Sequence, residues 1–419
     1  MESCKLLLCG QLYDGIHDEL FSDQQILVEG SIISAVGKNL SRPKECQVID
    51  LSHLTVTPGM IDAHIHSDLF DWRDYSAILL KSETWNNLGH LHTAQRTLER
   101  GFTTIRAHAL AQGQGYGLAD VKRAIAAGYF PGSRMVITFH MLGTAGGHAD
   151  ASQALMLNPR LAEAATQPFI GAGADFFRQV VQKDIKYGAD FIKLFISGGF
   201  STPGDTPDNT YLSDEELQAI LSTAQGMGRP TTAHVYTPEH MQKLIRFGIT
   251  GMEHGSLMDE ETAALFEQTN TYLVPTFCPY DEIIHLDEAA MAQKEPHFQA
   301  KLRKYAQQLR RGREIIANSK IRLGYGTDFV AVHQCYESWY EYRSWMRSGI
   351  DPFRILRAAT SSNAEILGLQ DKLGSIQPGK LADLAGWQRD LLQDEEALSE
   401  CSFVMKEGTI YPSLMEQAR

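Results

Sequence analysis

The sequence predicts an α/β fold, a (β/α)8 TIM barrel with a small β-sandwich built from both chain ends. Three observations carry that expectation. Short apolar runs of strand type alternate with segments of helical period through the middle of the chain. Both ends are instead strand-and-turn in character. Histidines, a lysine and an aspartate recur where the apolar runs stop, the face on which a barrel keeps its chemistry. At 419 residues the chain is long enough for one large barrel with an appendage.

Taken in order, the first segment reads as strands at 5–9, 25–29, 32–36 and 48–50. Gly10, Asp14-Gly15, Glu29-Gly30 and Arg42-Pro43 punctuate them as turns. From Lys372 onward the pattern returns, with Gly374, Pro378-Gly379, strands at 382–386 and 403–406, and a Glu407-Gly408 turn. Residues 1–57 and 367–419 are therefore assigned to one composite sandwich, and 58–366 to the barrel. Besides the run that ends in His64 and His66, the barrel strands are 103–106, 134–138, 191–196, 230–234, 251–254, 271–275 and 322–326. Between them, Ser213 with Glu216 three residues on forms a capping box. Leu217, Ile220, Leu221 and Ala224 then follow at helical spacing, with Gly226 or Gly228 as the stop. A second helix runs through Phe177, Val180, Val181 and Ile185 and stops near Gly188. Three long connections stand out: a Gly/Pro-rich, lid-like stretch at 197–209, the segment 143–173, and a helical insertion at 279–319 expected to be structural or oligomer-facing.

Composition excludes some partners. The formal net charge of -13 argues against nucleic acid and anionic membranes, and no apolar run approaches a membrane span or a signal-peptide core. The six cysteines (Cys4, Cys9, Cys46, Cys278, Cys335, Cys401) are scattered without a Cys-x-x-Cys pair, which suits reduced thiols in a cytoplasmic protein.

The chemistry starts at Ile61-Asp62-Ala63-His64-Ile65-His66. Side chains alternate along a strand, so His64 and His66 face the same way, and two imidazoles on one face suit a divalent metal. Lys193 lies inside Asp190-Phe191-Ile192-Lys193-Leu194-Phe195-Ile196, a run that reads as buried. Desolvating an ammonium is unfavourable, so burial favours the neutral amine, which is able to take up carbon dioxide as a carbamate that bridges two metals. His234 and His254 close consecutive strands, and Asp328 closes the last. Six residues of metal-ligand type at barrel-strand ends leave little room for six unrelated packing roles.

The order His-x-His, Lys, His, His, Asp resembles that of the binuclear amidohydrolase superfamily, over nearly the whole chain including the split sandwich. The resemblance implies two divalent ions, expected to be zinc. His64, His66 and Asp328 would hold one, His234 and His254 the other, and carboxylated Lys193 both. Gly146-Gly147-His148, Tyr236 two residues past His234, and Gly326-Thr327-Asp328-Phe329 followed by His333 are similar to the prolidase-like and arginine-carboxypeptidase-like members, relatives of imidazolonepropionase and of ochratoxin-cleaving amidohydrolases. It implies that His148, Tyr236 and His333 meet substrate, and that the chain assembles as a homo-oligomer. Ala107 departs from the pattern, since relatives usually carry aspartate there.

The expected reaction is hydrolysis of a linear amide or peptide bond next to a C-terminal carboxylate, with Asp328 as general base and then general acid. A phenol at Tyr236 suits hydrogen-bond donation to a carbonyl or carboxylate better than proton shuttling. Phe329, Val330, Ala331, Val332 and the preceding Thr276-Phe277-Cys278 offer no carboxylate for a basic side chain. The expectation leans toward an apolar or aromatic leaving amino acid, with dipeptides ending in proline or a basic residue and N-acyl aromatic amino acids both open. Cyclic amide or lactone hydrolysis is the alternative, and a non-catalytic scaffold a remote one.

Overall fold

The computed structural model describes residues 4–68, 81–109, 115–284, 288–292, 296–329 and 335–413. The N-terminal strands β1 (Cys4–Leu12), β2 (Phe21–Ser22), β3 (Gln25–Glu29), β4 (Ile32–Gly37) and β5 (Gln47–Pro58) are followed by two sets of parallel strands. The first set is β6 (Met60–Ile65), β7 (Phe102–His108) and β8 (Arg134–Thr138); the second is β9 (Met141–Leu142), β10 (Ile192–Phe195), β11 (Thr231–Val235), β12 (Gly251–His254) and β13 (Tyr272–Val274). Then come β14 (Leu384–Trp387), β15 (Cys401–Lys406) and β16 (Thr409–Tyr411).

The two ends share one sheet, in the order β16-β15-β14-β5-β1-β3-β4 with β2 on β1. Pairing runs unbroken from one end to the other, because β5 pairs with β1 along most of its length, as far as Val56, and with β14 on its other side through its last four residues. Leu7, Ile26, Val28, Val56, Leu384 and Met405 fill the core of this sheet. The cysteine expectation is corrected here. Parallel pairing sets Lys5 opposite Gln47, which brings the preceding Cys4 and Cys46 to a Cα separation of 4.6 Å, and they form a disulfide. A scattered spacing conceals a pair that only the β1–β5 register creates. Cys9, Cys278, Cys335 and Cys401 are free and buried.

The middle of the chain is a mixed α/β arrangement. Every residue of β6, β7 and β10–β13 is buried, as in parallel strands covered on both faces. Regular pairing gives a three-strand sheet, β6-β7-β8, and a five-strand sheet, β13-β12-β11-β10-β9. The strand expected at 322–326 is not regular: only Leu323 bridges, to Leu273 of β13. It nonetheless stitches the two sheets, since Ala63 N–H donates to the Tyr325 carbonyl at 2.8 Å and Asp328 N–H to the His64 carbonyl at 2.8 Å. A side chain replaces missing ladder bonds: the Asn363 amide donates to Ile61 and Tyr325 carbonyls, both at 2.8 Å, and accepts from Tyr325 N–H. Gly326 is required there, because a Cβ would lie 2.7 Å from the His64 nitrogen.

The two helices read from spacing form as expected. Asp214–Gly226 carries both halves of the Ser213/Glu216 capping box, and Ala174–Tyr187 ends on Gly188 at φ 109°. The insertion contains a long helix, Pro296–Asn318, whose buried stripe includes Lys301, Leu302, Tyr305 and Leu309. It packs toward the strand-end loops rather than standing apart as an appendage. Among the described residues no helix is long and apolar enough to cross a membrane.

Candidate active site

At the carboxyl end of β6, His64 and His66 converge with Asp328. Their Nε2 atoms lie 3.5 and 3.0 Å from Asp328 Oδ1, so that three potential ligand atoms stand within metal-binding reach of one another. The opposite ring nitrogens are tied down. His64 Nδ1 donates to Glu253 Oε2 at 2.7 Å, and His66 Nδ1 donates to the His108 carbonyl at 2.6 Å. An acceptor on Nδ1 keeps the proton there and leaves the Nε2 lone pair free for a cation, the usual way a protein prepares a ligating imidazole. Burial and the surrounding cationic groups drive His64 well below its ordinary range, so it stays neutral.

Lys193 sits in the middle of β10, 1% exposed. Burial, reinforced by Arg106, pushes its amine down to about 8 although Glu253 and Asp328 pull the other way. His234 and His254 end β11 and β12 with ring centroids 4.6 Å apart. His254 Nδ1 lies 2.8 Å from Thr276 Oγ1 and 3.8 Å from Asp328 Oδ2, while His234 Nε2 donates to the Gly198 carbonyl at 3.4 Å. The backbone itself is bent at these strand ends: His254, Thr276 and Asp328 have φ of 69°, 46° and 47°. Left-handed geometry is unfavourable for any side-chain-bearing residue, most of all β-branched Thr276, and such residues cluster where a site needs an unusual aim.

Of the expected substrate residues, His148 and Tyr236 join this group and His333, with Val330, Ala331 and Val332, lies outside the described residues. The His148 ring stacks on His234 at 4.6 Å. Tyr236 stacks on His254 at 5.2 Å and shares a hydroxyl–hydroxyl hydrogen bond with Tyr280. Phe200 meets both tyrosines edge-on, so the site has an aromatic flank.

Several residues beneath the site were not picked out from the sequence. Glu253, wholly buried, also accepts from Arg106 Nη2 at 2.7 Å and from Thr232 Oγ1. Arg106 in turn donates to the Ala63 carbonyl and to the Tyr272 hydroxyl. Asp62 accepts from Ser338 Oγ and Thr327 Oγ1, both at 2.7 Å, and from His64 N–H at 3.0 Å, which fixes β6 against the Asp328 segment. Glu341 accepts from the N–H groups of Phe277 and Cys278 at 2.7 Å each, capping helix Cys278–Ile284, which carries Tyr280. The signal that could have found Glu253 and Arg106 is akin to the one that found Lys193: a charge inside a short strand of otherwise uncharged, buried residues. His108, stacked 4.0 Å from His64, has neither ring nitrogen hydrogen-bonded among the described residues.

Comparison with known proteins is consistent in direction. The amidohydrolase family model matches residues 55–412. Ochratoxinase from Aspergillus niger is 25% identical over 426 aligned positions, covering 97% of this chain and 86% of that protein. Among solved structures, a Xaa-Pro dipeptidase with methionine bound in its active site superposes with a TM-score of 0.85 at 27% identity, over 98% of this chain and 100% of the other. A prolidase complexed with N-methylphosphonate-L-proline gives a TM-score of 0.83 at 27% identity, over 98% and 99%.

Proposed function

The chain belongs to the amidohydrolase family, metal-dependent hydrolases of carbon–nitrogen bonds, and from that premise we propose that it cleaves a linear amide next to a C-terminal carboxylate. We read the two parallel sheets and the 322–328 segment between them as one closed (β/α)8 barrel, residues 58–366, with 1–57 and 367–419 as the composite β domain. The observation that carries the functional reading is the convergence of His64 Nε2, His66 Nε2 and Asp328 Oδ1 beside a buried lysine.

The donor set fits two divalent ions. His64, His66 and Asp328 would hold one, His234 and His254 the other, and Lys193 both as its carbamate; zinc is the ion these ligands suit. Such ions, when bound, supply an acidified water and a polarised scissile carbonyl. The neutral Lys193 amine attacks the carbon of carbon dioxide, forms the N–C bond and loses a proton to solvent, giving an anion in a place where a cation is poorly solvated.

This chain's own groups do the rest. Asp328, ionised at neutral pH, accepts the proton of the attacking water and delivers it to the departing nitrogen. In the Tyr236–Tyr280 pair one hydroxyl proton bridges the two oxygens and the other is free to donate to the substrate carbonyl or carboxylate. His148 and His333 complete the anchor for the carboxylate. The aromatic flank of Phe200, Tyr236 and Tyr280 supports an apolar or aromatic leaving amino acid.

Protein loaded with zinc in the presence of bicarbonate and offered a panel of N-acyl amino acids, dipeptides and hydantoins tests the reading. Turnover should be confined to carboxylate-bearing linear amides, with two metals per chain. Asp328→Asn should lower kcat at least about 100-fold while keeping the metals. Activity on hydantoins alone, or near-normal turnover by that variant, would overturn it.

A further inference from the structure

Helix Pro296–Asn318 presents His297, Lys301, Lys304 and Tyr305 along one stripe, at the i, i+4, i+7 and i+8 spacing of a single helix face. That stripe grips the loop of residues 197–209. His297 Nε2 donates to the Ser201 carbonyl at 3.1 Å, while Lys304 Nζ and the Tyr305 hydroxyl both reach Asp208 Oδ2. Lys301 is the central contact and is 7% exposed. All three of its ammonium protons have partners: the Gly199 carbonyl at 2.8 Å, the Thr202 carbonyl, and Asp205 Oδ1 at 2.9 Å.

Asp205 is 1% exposed and its other oxygen, Oδ2, lies 3.0 Å from His148 Nδ1 and accepts from Gly199 N–H at 3.2 Å. Thr202 Oγ1 lies 2.7 Å from the same His148 nitrogen. An ionised carboxylate only accepts, so Asp205 favours the tautomer with the proton on Nδ1, shared with the Thr202 hydroxyl as a second acceptor, and turns Nε2 away from the loop core. Burial opposes the Asp205 charge, but His148 and Lys301 outweigh it and hold the carboxyl below its ordinary range. Gly199 closes the other side, since a Cβ there would lie 2.4 Å from His148 Cε1. The imidazole is thus held by a chain of groups that begins on a helix far along the sequence.

We infer that Lys301 is a positioning residue: through Asp205 it fixes the tautomer and orientation of His148, and so sets how firmly the site grips the substrate's carboxylate. The second half of this statement rests on the functional reading above; the first half does not. Without Lys301 the buried Asp205 carboxylate loses its cation, leaving His148 alone to oppose the burial that favours the protonated carboxyl. A protonated carboxyl can donate, and the His148 tautomer is no longer dictated.

Two measurements decide it. In the metal-free protein, 15N NMR of labelled histidine should show His148 protonated at Nδ1. Lys301→Met and Asp205→Asn should change that signature, and Lys301→Arg should restore most of it; an unchanged signature in both variants overturns the relay, whatever the enzyme hydrolyses. In kinetics, Lys301→Met should raise KM for a carboxylate-bearing amide about 10-fold, keep kcat within about twofold and keep the metal content, and leave the corresponding carboxamide substrate unaffected. Combined with His148→Ala, it should add little further loss, because the two act as one unit. Full additivity, or equal damage on the carboxamide, refutes the role in substrate grip. Wild-type protein inactive on every carboxylate-bearing amide would strike the functional reading and that half of the inference, leaving the NMR result to judge the relay.

Discussion

Lys193 carries a charge that its place in the fold tolerates poorly. With its amine pushed down to about 8 from 10.5 by burial, the folded metal-free protein sheds this proton while the unfolded chain still holds it. Unfolding therefore takes up a proton between those two values, and stability rises with pH across the window, by roughly 3 kcal/mol in all. Urea unfolding of metal-free protein at pH 8 and pH 10 should show that rise, and Lys193→Met should lack it; equal slopes in the two proteins would mean the lysine is not so perturbed. The same residue explains what single positions reveal. A lysine between Ile192 and Leu194, or histidines ending β6, contradict their apolar surroundings and so announce themselves. Asp205 and Lys301 do not, because each stands in an ordinary polar context and only their 2.9 Å contact across the fold gives them meaning.

Elements were legible where local chemistry defines them. The helix starting after Ser213 has its cap, its apolar spacing and its glycine stop written within fourteen or so residues, and the box closes as expected, with Glu216 Oε2 accepting from Ser213 N–H at 2.9 Å. Glu216 Oε1 also accepts from Gly173 N–H at 2.6 Å, joining this helix to the start of Ala174–Tyr187. Ser213→Ala should lower stability by about 1 kcal/mol with kcat unchanged, read from the denaturation midpoint and a steady-state assay. A loss of activity at equal foldedness would show that this helix does more than support. Strand ends were harder. The left-handed turns at His254, Thr276 and Asp328 are imposed by the packing of neighbouring strands, and nothing in Thr276-Phe277 or Thr327-Asp328 marks them. The Asp328 segment was expected as a regular strand. Gly324 and Gly326 there lie against Asn363, Val274 and His64, and the Asn363 amide takes over pairing that a regular ladder would have supplied.

At the scale of the whole molecule, the shared sheet and the parallel strands are joined by polar contacts as well as by apolar packing. Arg134 of β8 donates to Asp383 Oδ2 at 2.7 Å and to Glu407 Oε1 at 2.5 Å, while Asp383 Oδ1 accepts from Glu407 N–H at 2.8 Å. Within the shared sheet, the Trp387 indole of β14 donates to Thr57 Oγ1 of β5 at 3.0 Å. Removing the cation would strand a buried carboxylate. Arg134→Met should therefore destabilise by about 3 kcal/mol, visible as a lowered urea midpoint, and Asp383→Asn added to it should restore part of the loss. Additive losses would show that the two groups are not coupled. That both ends have the same strand-and-turn character was readable from composition. How they interleave was not, since the register of β1 against β5, and with it the Cys4–Cys46 bond, depends on contacts that no local pattern encodes.

The place of β14, hydrogen-bonded to β5 and followed outward by β15 and β16, sets the order of events during synthesis. While the ribosome is still making residues 59–383, the last stretch of β5 has no neighbour on that side, and its open backbone is available to any passing strand. A ribosome that stalls or a message cut short before position 384 would release a chain with this edge bare, prone to stick to its own kind. Only the codons from 384 onward supply the cover.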